Sequence, residues 1–271
     1  MAVLDVIDVS VVIATYRRPA ELVEAARSAL DQHGPSLEVL IVDDCPGGSA
    51  FPAVQALRDE RITYFQMKHP TGGSPATVRN AAWPLARGRF VHFLDDGDIV
   101  PVGHYDAATR AFEGDPGAGV VFGQIEPFGT DESALRRERQ YFERAHRRAI
   151  ACQRFGPRWA LAATMLFDPA PFVCSAAMIR RECISPINGF DAEVALVDDV
   201  DFYSRAIRRF GASVIDHTTL LRRTGPVIEQ PNSGPVLAKS YGRMRAKYRT
   251  QWGAADYYAA KGFARTVLKV V

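Results

Sequence analysis

The chain has 271 residues, 47% of them apolar and 24% charged, with a formal net charge of +2. That is ordinary globular usage, long enough to bury a sizeable core, and it excludes an extensively disordered linker or tail protein. The small net charge, with no basic run interleaved with aromatics, gives no footprint for nucleic acid.

Val9 to Ala14 is a continuous β-branched apolar run, followed by polar Thr15 to Arg18 and then Pro19. It reads as a buried parallel strand, a loop, and a helix with proline in its first turn. Leu22, Ala25, Ala26, Ala29 and Leu30 recur at helical spacing until His33-Gly34-Pro35 stops them. Leu37 to Val42 is a second strand, ending in Asp43 and Asp44. Arg61 to Gln66 predicts a third, and Gly72 to Pro75 a loop opening a helix, with Ser74 as its cap. On that helix Val78, Ala81, Ala82 and Leu85 share one face, Arg79 and Asn80 another.

Arg89 to Leu94 is the fourth strand, and it ends in Asp95, Asp96, Gly97 and Asp98. Three carboxylates around one glycine read either as a surface Asp-Gly turn or as a site for a hard divalent cation such as Mg²⁺ or Mn²⁺. In an open parallel sheet ligands bind beyond the carboxyl ends of the strands, so Thr15 to Arg17, Asp43 to Asp44 and Asp95 to Asp98 should converge on one crevice.

Val120 to Ile125 is a further strand, Thr130 to Ile150 an Arg-rich helix, Arg154 to Pro171 irregular and aromatic, and Val173 to Ile179 a strand. Asn188 to Asp191 is a turn, and Asp198, Asp199 and Asp201 open an amphipathic helix closed by Gly211. Simple capping alone would account for acids in a first helical turn. From Gly234 the chain is helical in composition, Lys239, Arg243 and Lys247 alternating with Tyr241, Met244, Tyr248 and Trp252. That tail could dock on the domain, on a partner, or on an anionic membrane surface. The basic stretches 136–148 and 239–249 are read first as solvated helix faces.

Cys45, Cys152, Cys174 and Cys183 have no zinc-like spacing and are expected to be free thiols in a reducing compartment. The N-terminal residues lack a basic region and are interrupted by Asp5 and Asp8, so they do not read as a signal peptide, and no apolar run is long enough to span a bilayer.

Together Ser10-Val-Val-Ile-Ala-Thr-Tyr-Arg-Arg-Pro19, Val42-Asp-Asp44, Val78-Arg-Asn80, Leu94-Asp-Asp-Gly-Asp98, Gly189-Phe-Asp191 and Asp198-Asp-Val-Asp201 resemble the family 2 inverting glycosyltransferases. Each motif is weak alone; the ordered set, over about residues 8–225, is specific. The resemblance implies an α/β fold of GT-A type, a mostly parallel Rossmann-like sheet flanked by helices, over residues 1–233. Its nucleotide-binding half is 8–125 and its acceptor and base half 126–233, with a helical basic extension over 234–271.

It also implies a nucleotide-diphospho-sugar donor, Mn²⁺ or Mg²⁺, and inverting displacement by an acceptor hydroxyl. Thr15, Tyr16, Arg17, Asp43, Asp44, Arg79 and Asp95 fall at donor-contacting positions, and Asp96 at the metal, with Asp98 and His217 as further candidate ligands. Asp199 matches the general base; Arg222 and Arg223 lie where cations approach the diphosphate. Gly97 with Asp98, and Arg17 in place of a frequent Asn, depart from the common pattern. A carboxylate acceptor at Asp44 favours a base with a ring N–H, hence UDP- or dTDP-sugars. A cytoplasmic enzyme is expected, with a homodimer or peripheral membrane contact through the extension as further partners. The competing classes are a nucleotidyltransferase, which should carry a glycine-rich first loop, and a catalytically silent sugar-nucleotide-binding module, which has no use for Asp199.

Overall fold

Continuous β-branched runs dictate the centre of the molecule. In the computed structural model, which describes residues 7–155, 158–167, 172–194, 196–224 and 233–266, the strands β1 (Val9–Thr15) and β2 (Leu37–Asp43) are almost wholly buried. Strands buried on both faces are what a parallel sheet covered by helices requires. With β3 (Ile62–Gln66), β4 (Phe90–Asp95), β5 (Val120–Gly129), β6 (Ala177–Arg180) and β7 (Ala212–Thr224) they form one sheet of order β3-β2-β1-β4-β6-β5-β7. Only β6 is antiparallel to its neighbours, β4 and β5. The expected mostly parallel, helix-flanked sheet with a helical C-terminal portion is therefore what the chain adopts.

Helix α1 (Pro19–Leu30) buries all five residues of its apolar stripe. A short α2 (Phe51–Gln55) follows β2, and α3 (Pro75–Ala82) buries Val78 and Ala82 together with Arg79. Ser74 occupies the capping position of α3, yet its hydroxyl pairs with Thr77 rather than with the helix backbone. Helix α4 (His104–Gly114) follows the acidic motif, and α5 (Glu132–Phe155) runs five residues beyond the expected end.

Two expectations change. Within the stretch read as irregular, 158–167 is a helix, α6, buried from Ala160 to Leu166. Its Ala, Leu and Met residues are good helix formers, and burial on all sides removes the amphipathic signature that marks a surface helix. Residues 156–157 and 168–171 of that stretch lie outside the described residues. The strand expected from Val173 begins instead with a 3₁₀ turn, Cys174–Ala176, whose Ser175 carbonyl accepts from His92 Nε2 at 2.7 Å.

Helix α7 (Asp198–Phe210) is locked by Phe202, stacked on Phe190 at 4.0 Å and edge-on to Phe93 of β4 at 5.8 Å. The last two helices, α8 (Ser233–Trp252) and α9 (Ala254–Thr266), lie against α6 and α7. Met244 and Tyr248 are buried there, and Arg208 of α7 reaches Asp256 at 3.2 Å. Among the described residues no helix is long and apolar enough to cross a membrane.

Candidate active site

Beyond the carboxyl ends of β1, β2 and β4 lies a cleft of about 660 Å³ lined by Tyr16, Arg17, Asp44, Arg79, Asp95 and Asp96, among others. The three polar strand ends converge as parallel topology requires.

Arg79 is its organising cation. Carried on α3 and buried, it donates to Asp95 Oδ1 at 2.6 Å and to Asp198 Oδ2 at 2.9 Å, and its guanidinium lies 5.2 Å from the Phe190 ring centre. It thus ties the end of β4 to the first turn of α7. Asn80 completes the bridge: its side chain donates to the Phe190 carbonyl at 2.7 Å and accepts the Phe190 N–H at 2.9 Å. The turn needs Gly189, because its φ is +62° and a Cβ there would stand 2.5 Å from Asn80 Oδ1.

On the β4 side, Asp96 accepts from the Thr15 hydroxyl at 2.8 Å and faces Arg18 at 3.6 Å. Burial pushes its carboxyl up to about 6 against those two partners, and the charge of Asp95 adds to the rise. On the α7 side, half-buried Asp199 accepts, among the described residues, only the Val200 N–H, at 2.8 Å. Burial, then the neighbouring charge of Asp198, raises it to about 6. Helix α7 has no side-chain cap. The carboxylates of Asp198 and Asp201 are instead committed to Arg79 and, at 2.6 Å, to Arg205, so capping does not account for them.

Other sequence candidates sit differently. Asp43 is fully buried and accepts from Cys45 N–H and Ala50 N–H, both at 2.8 Å, and from the Tyr64 hydroxyl at 3.0 Å; it holds its own loop and does not line the cleft. Asp44 does line it, while accepting from Thr71 N–H, Thr71 Oγ1 and Gly73 N–H, each at 2.7 Å. Arg17 packs its guanidinium over the Tyr16 ring at 5.0 Å with φ +59°. Asn tolerates that left-handed conformation better than Arg does.

Asp98 turns inward to the Arg223 N–H at 3.0 Å, and burial plus the Asp95 charge raises it to about 7. Arg222 pairs with Glu138 at 2.5 Å, and Arg223 with Glu24 and the Gly97 carbonyl. His217 is not brought to the acids. It lies five to six residues before the end of β7 that reaches Asp98, roughly 17–20 Å back along the strand, near His104. A register shift between β5 and β7 falls at this point, which sequence spacing does not reveal.

Two residues were missed. Arg18 faces Asp96, and its place in a Tyr-Arg-Arg triplet was the available signal. Ser175, whose hydroxyl accepts the Asp95 N–H at 3.0 Å, carried none.

Among the described residues no three His, Cys, Asp or Glu side chains are grouped to hold a metal by themselves. The hard oxygens of Asp95 and Asp96, each facing one arginine, fit instead a Mg²⁺-type ion that takes one or two carboxylates and completes its shell with water and phosphate.

The family model for glycosyl transferase family 2 matches residues 10–185. The chain belongs to that family. The succinoglycan biosynthesis protein ExoO of Rhizobium meliloti (strain 1021) is 38% identical over 93 residues, 34% of this chain and 26% of that protein. The chain thus spans about a quarter of that relative's length. Among solved structures, S. aureus TarS 1-349 in complex with UDP-GlcNAc superposes with a TM-score of 0.65 at 18% identity, over 90% of this chain and 67% of that one. The mannosyltransferase PcManGT of Pyrobaculum calidifontis, in complex with GDP-Man and Mn²⁺, gives 0.62 at 18%, over 96% and 70%. At such identities the two structures establish the shared GT-A fold.

Proposed function

We propose that this chain moves a sugar from a nucleotide-diphospho-sugar to an acceptor hydroxyl, with inversion and with the help of Mn²⁺ or Mg²⁺. The observation that carries the reading is the Arg79 bridge, which joins the acidic strand end on the cleft wall to a second acidic cluster at the start of α7. One cluster suits the leaving diphosphate and the other the attacking hydroxyl.

Tyr16 offers a face for the nucleobase. A carboxylate presents about four lone-pair directions, and three at Asp44 are engaged by the 71–73 loop, so one remains for a ring N–H. That favours uracil or thymine; a binding screen in which GDP is the sole tight ligand would refute the preference. Asp96, with Asp95 beside it, would hold the cation, which when bound stabilises as a Lewis acid the charge developing on the diphosphate. Asp199 accepts the acceptor's proton as its oxygen bonds to the anomeric carbon and the bond to the diphosphate breaks. The four buried cysteines are free, in keeping with a reducing, cytoplasmic setting.

The test is nucleoside-diphosphate binding by calorimetry, with and without Mn²⁺. Asp96→Asn is expected to weaken binding at least tenfold in Mn²⁺ and leave metal-free binding nearly unchanged. Equal affinity of the two proteins in Mn²⁺ would sink the metal assignment.

The division into a catalytic unit over 1–233 and an extension over 234–271 belongs to the same proposal. None of the cleft residues comes from α8 or α9. Truncation after Pro235 should therefore keep metal-dependent donor binding and lower transfer to the acceptor. It should also lower the Tm, because Met244 and Tyr248 leave the core. Loss of nucleotide binding by a truncated protein that still folds would contradict the division.

A further inference from the structure

Helix α5 carries a dense group of exposed arginines. That helix carries seven arginines against three glutamates, in a chain whose whole net charge is +2. Its inner side is spent on the core through Leu135, Phe142, Ala145 and Ala149. Arg136, Arg137, Arg139, Arg144 and Arg147 are all exposed. At 100° per residue they fall within an arc of about 160°, along about 17 Å of helix axis, with Glu132 and Glu143 as the acids on that arc. Arg137 donates to the Ser133 hydroxyl at 3.1 Å and Arg139 stands 3.9 Å from Glu126. Arg136, Arg144 and Arg147 have no polar partner among the described residues.

The other basic helix differs. On α8, Arg243 donates to the Glu193 carbonyl, Arg245 to the Leu166 carbonyl, and Lys247 pairs with Asp191, so the tail's cations are largely consumed inside the molecule. The opposite side of α5 is tied to β7. Its Glu138 accepts from Arg222 at 2.5 Å and from the Thr224 hydroxyl at 2.9 Å, next to the Arg223 N–H that holds Asp98.

We propose that the exposed arginine face of α5 docks on an anionic membrane surface. From Arg136 to Arg147 the face is one convex helix side with no exposed aromatic on its arc for stacking bases. Guanidinium groups pair readily with phosphate oxygens, and a charged plane needs no groove to receive it. A membrane contact is thereby moved from the tail, where composition suggested it, to α5.

The test is sedimentation of the full chain with vesicles of phosphatidylglycerol and phosphatidylcholine in equal parts. Binding should weaken steeply with added salt and be absent from pure phosphatidylcholine. The triple variant Arg136→Gln, Arg144→Gln, Arg147→Gln should lose partition by roughly a hundredfold, at about 1 kcal/mol per arginine. Its circular dichroism and its nucleotide binding should match the wild type. The proposal is overturned if the triple variant binds as well as the wild type, if pure phosphatidylcholine vesicles bind equally, or if soluble polyphosphate is bound more tightly than the vesicles.

Discussion

Asp199→Asn should lower transfer by roughly a hundredfold or more while leaving donor affinity unchanged, since the amide keeps the shape but cannot take the acceptor's proton. The pH profile provides a second reading of the same group. Because the carboxyl titrates near 6, wild-type transfer should rise with pH through about 6 and then level off, and the residual activity of the variant should lack that limb. The stability consequence has the opposite sign. A folded-state pKa above the ordinary 3.8 means that the folded protein holds the proton more tightly than the unfolded chain, so ionised Asp199 costs stability above that window. Asp199→Asn should therefore raise the Tm at neutral pH. Asp201→Asn is the control: its carboxylate serves Arg205, so the change should cost stability and leave the pH limb in place. A fully active Asp199→Asn protein, or one that has also lost donor binding, removes Asp199 from the role of base.

Arg79→Met should be the most damaging single change to the fold of the site. The guanidinium is buried between Asp95 and Asp198, and its removal leaves the buried Asp198 facing the half-exposed Asp95 without compensation. Breaking a buried ion pair in this way costs about 3–5 kcal/mol. In a chain of this size that lowers the Tm by roughly 6–20 °C. Arg79→Lys should recover only part, because an ammonium cannot present the planar fork that spans both carboxylates. Asp198 and Asp199 should both become harder to ionise, moving the pH limb of transfer upward. A variant that melts within about 2 °C of the wild type would show that the bridge carries little of the structure.

Much of the scaffold was readable along the chain because its signals are local. A β-branched run buried on both sides becomes a parallel strand, a stripe at helical spacing becomes a helix on its face, and polar residues directly after a strand must emerge at its carboxyl end. Those rules suffice for β1 to β4, α1 and α7, and for the meeting of Tyr16, Asp44, Asp95 and Asp96 in one cleft, but not for the face of α3, where Ala81 and Leu85 are exposed and Arg79 is buried. They say nothing of where a carboxylate points once it arrives. Asp43 and Asp44 are adjacent and chemically identical, yet strand alternation sends one to its own loop and the other to the cleft wall. Arg79 and Asp198 are 119 residues apart, Ser175 and Asp95 80 apart, and no periodicity links such partners. The polar edge strand β7 and the all-round apolar α6 lack a face-to-face contrast, so only their packing against β5 and against α7 and α9 makes them elements. The register shift beside β5 then leaves His217 near His104 instead of at the acids. Residue type and order therefore determined the chemistry available to this protein, while tertiary packing decided which groups share it, because burial and hydrogen bonding are settled between partners distant in the chain.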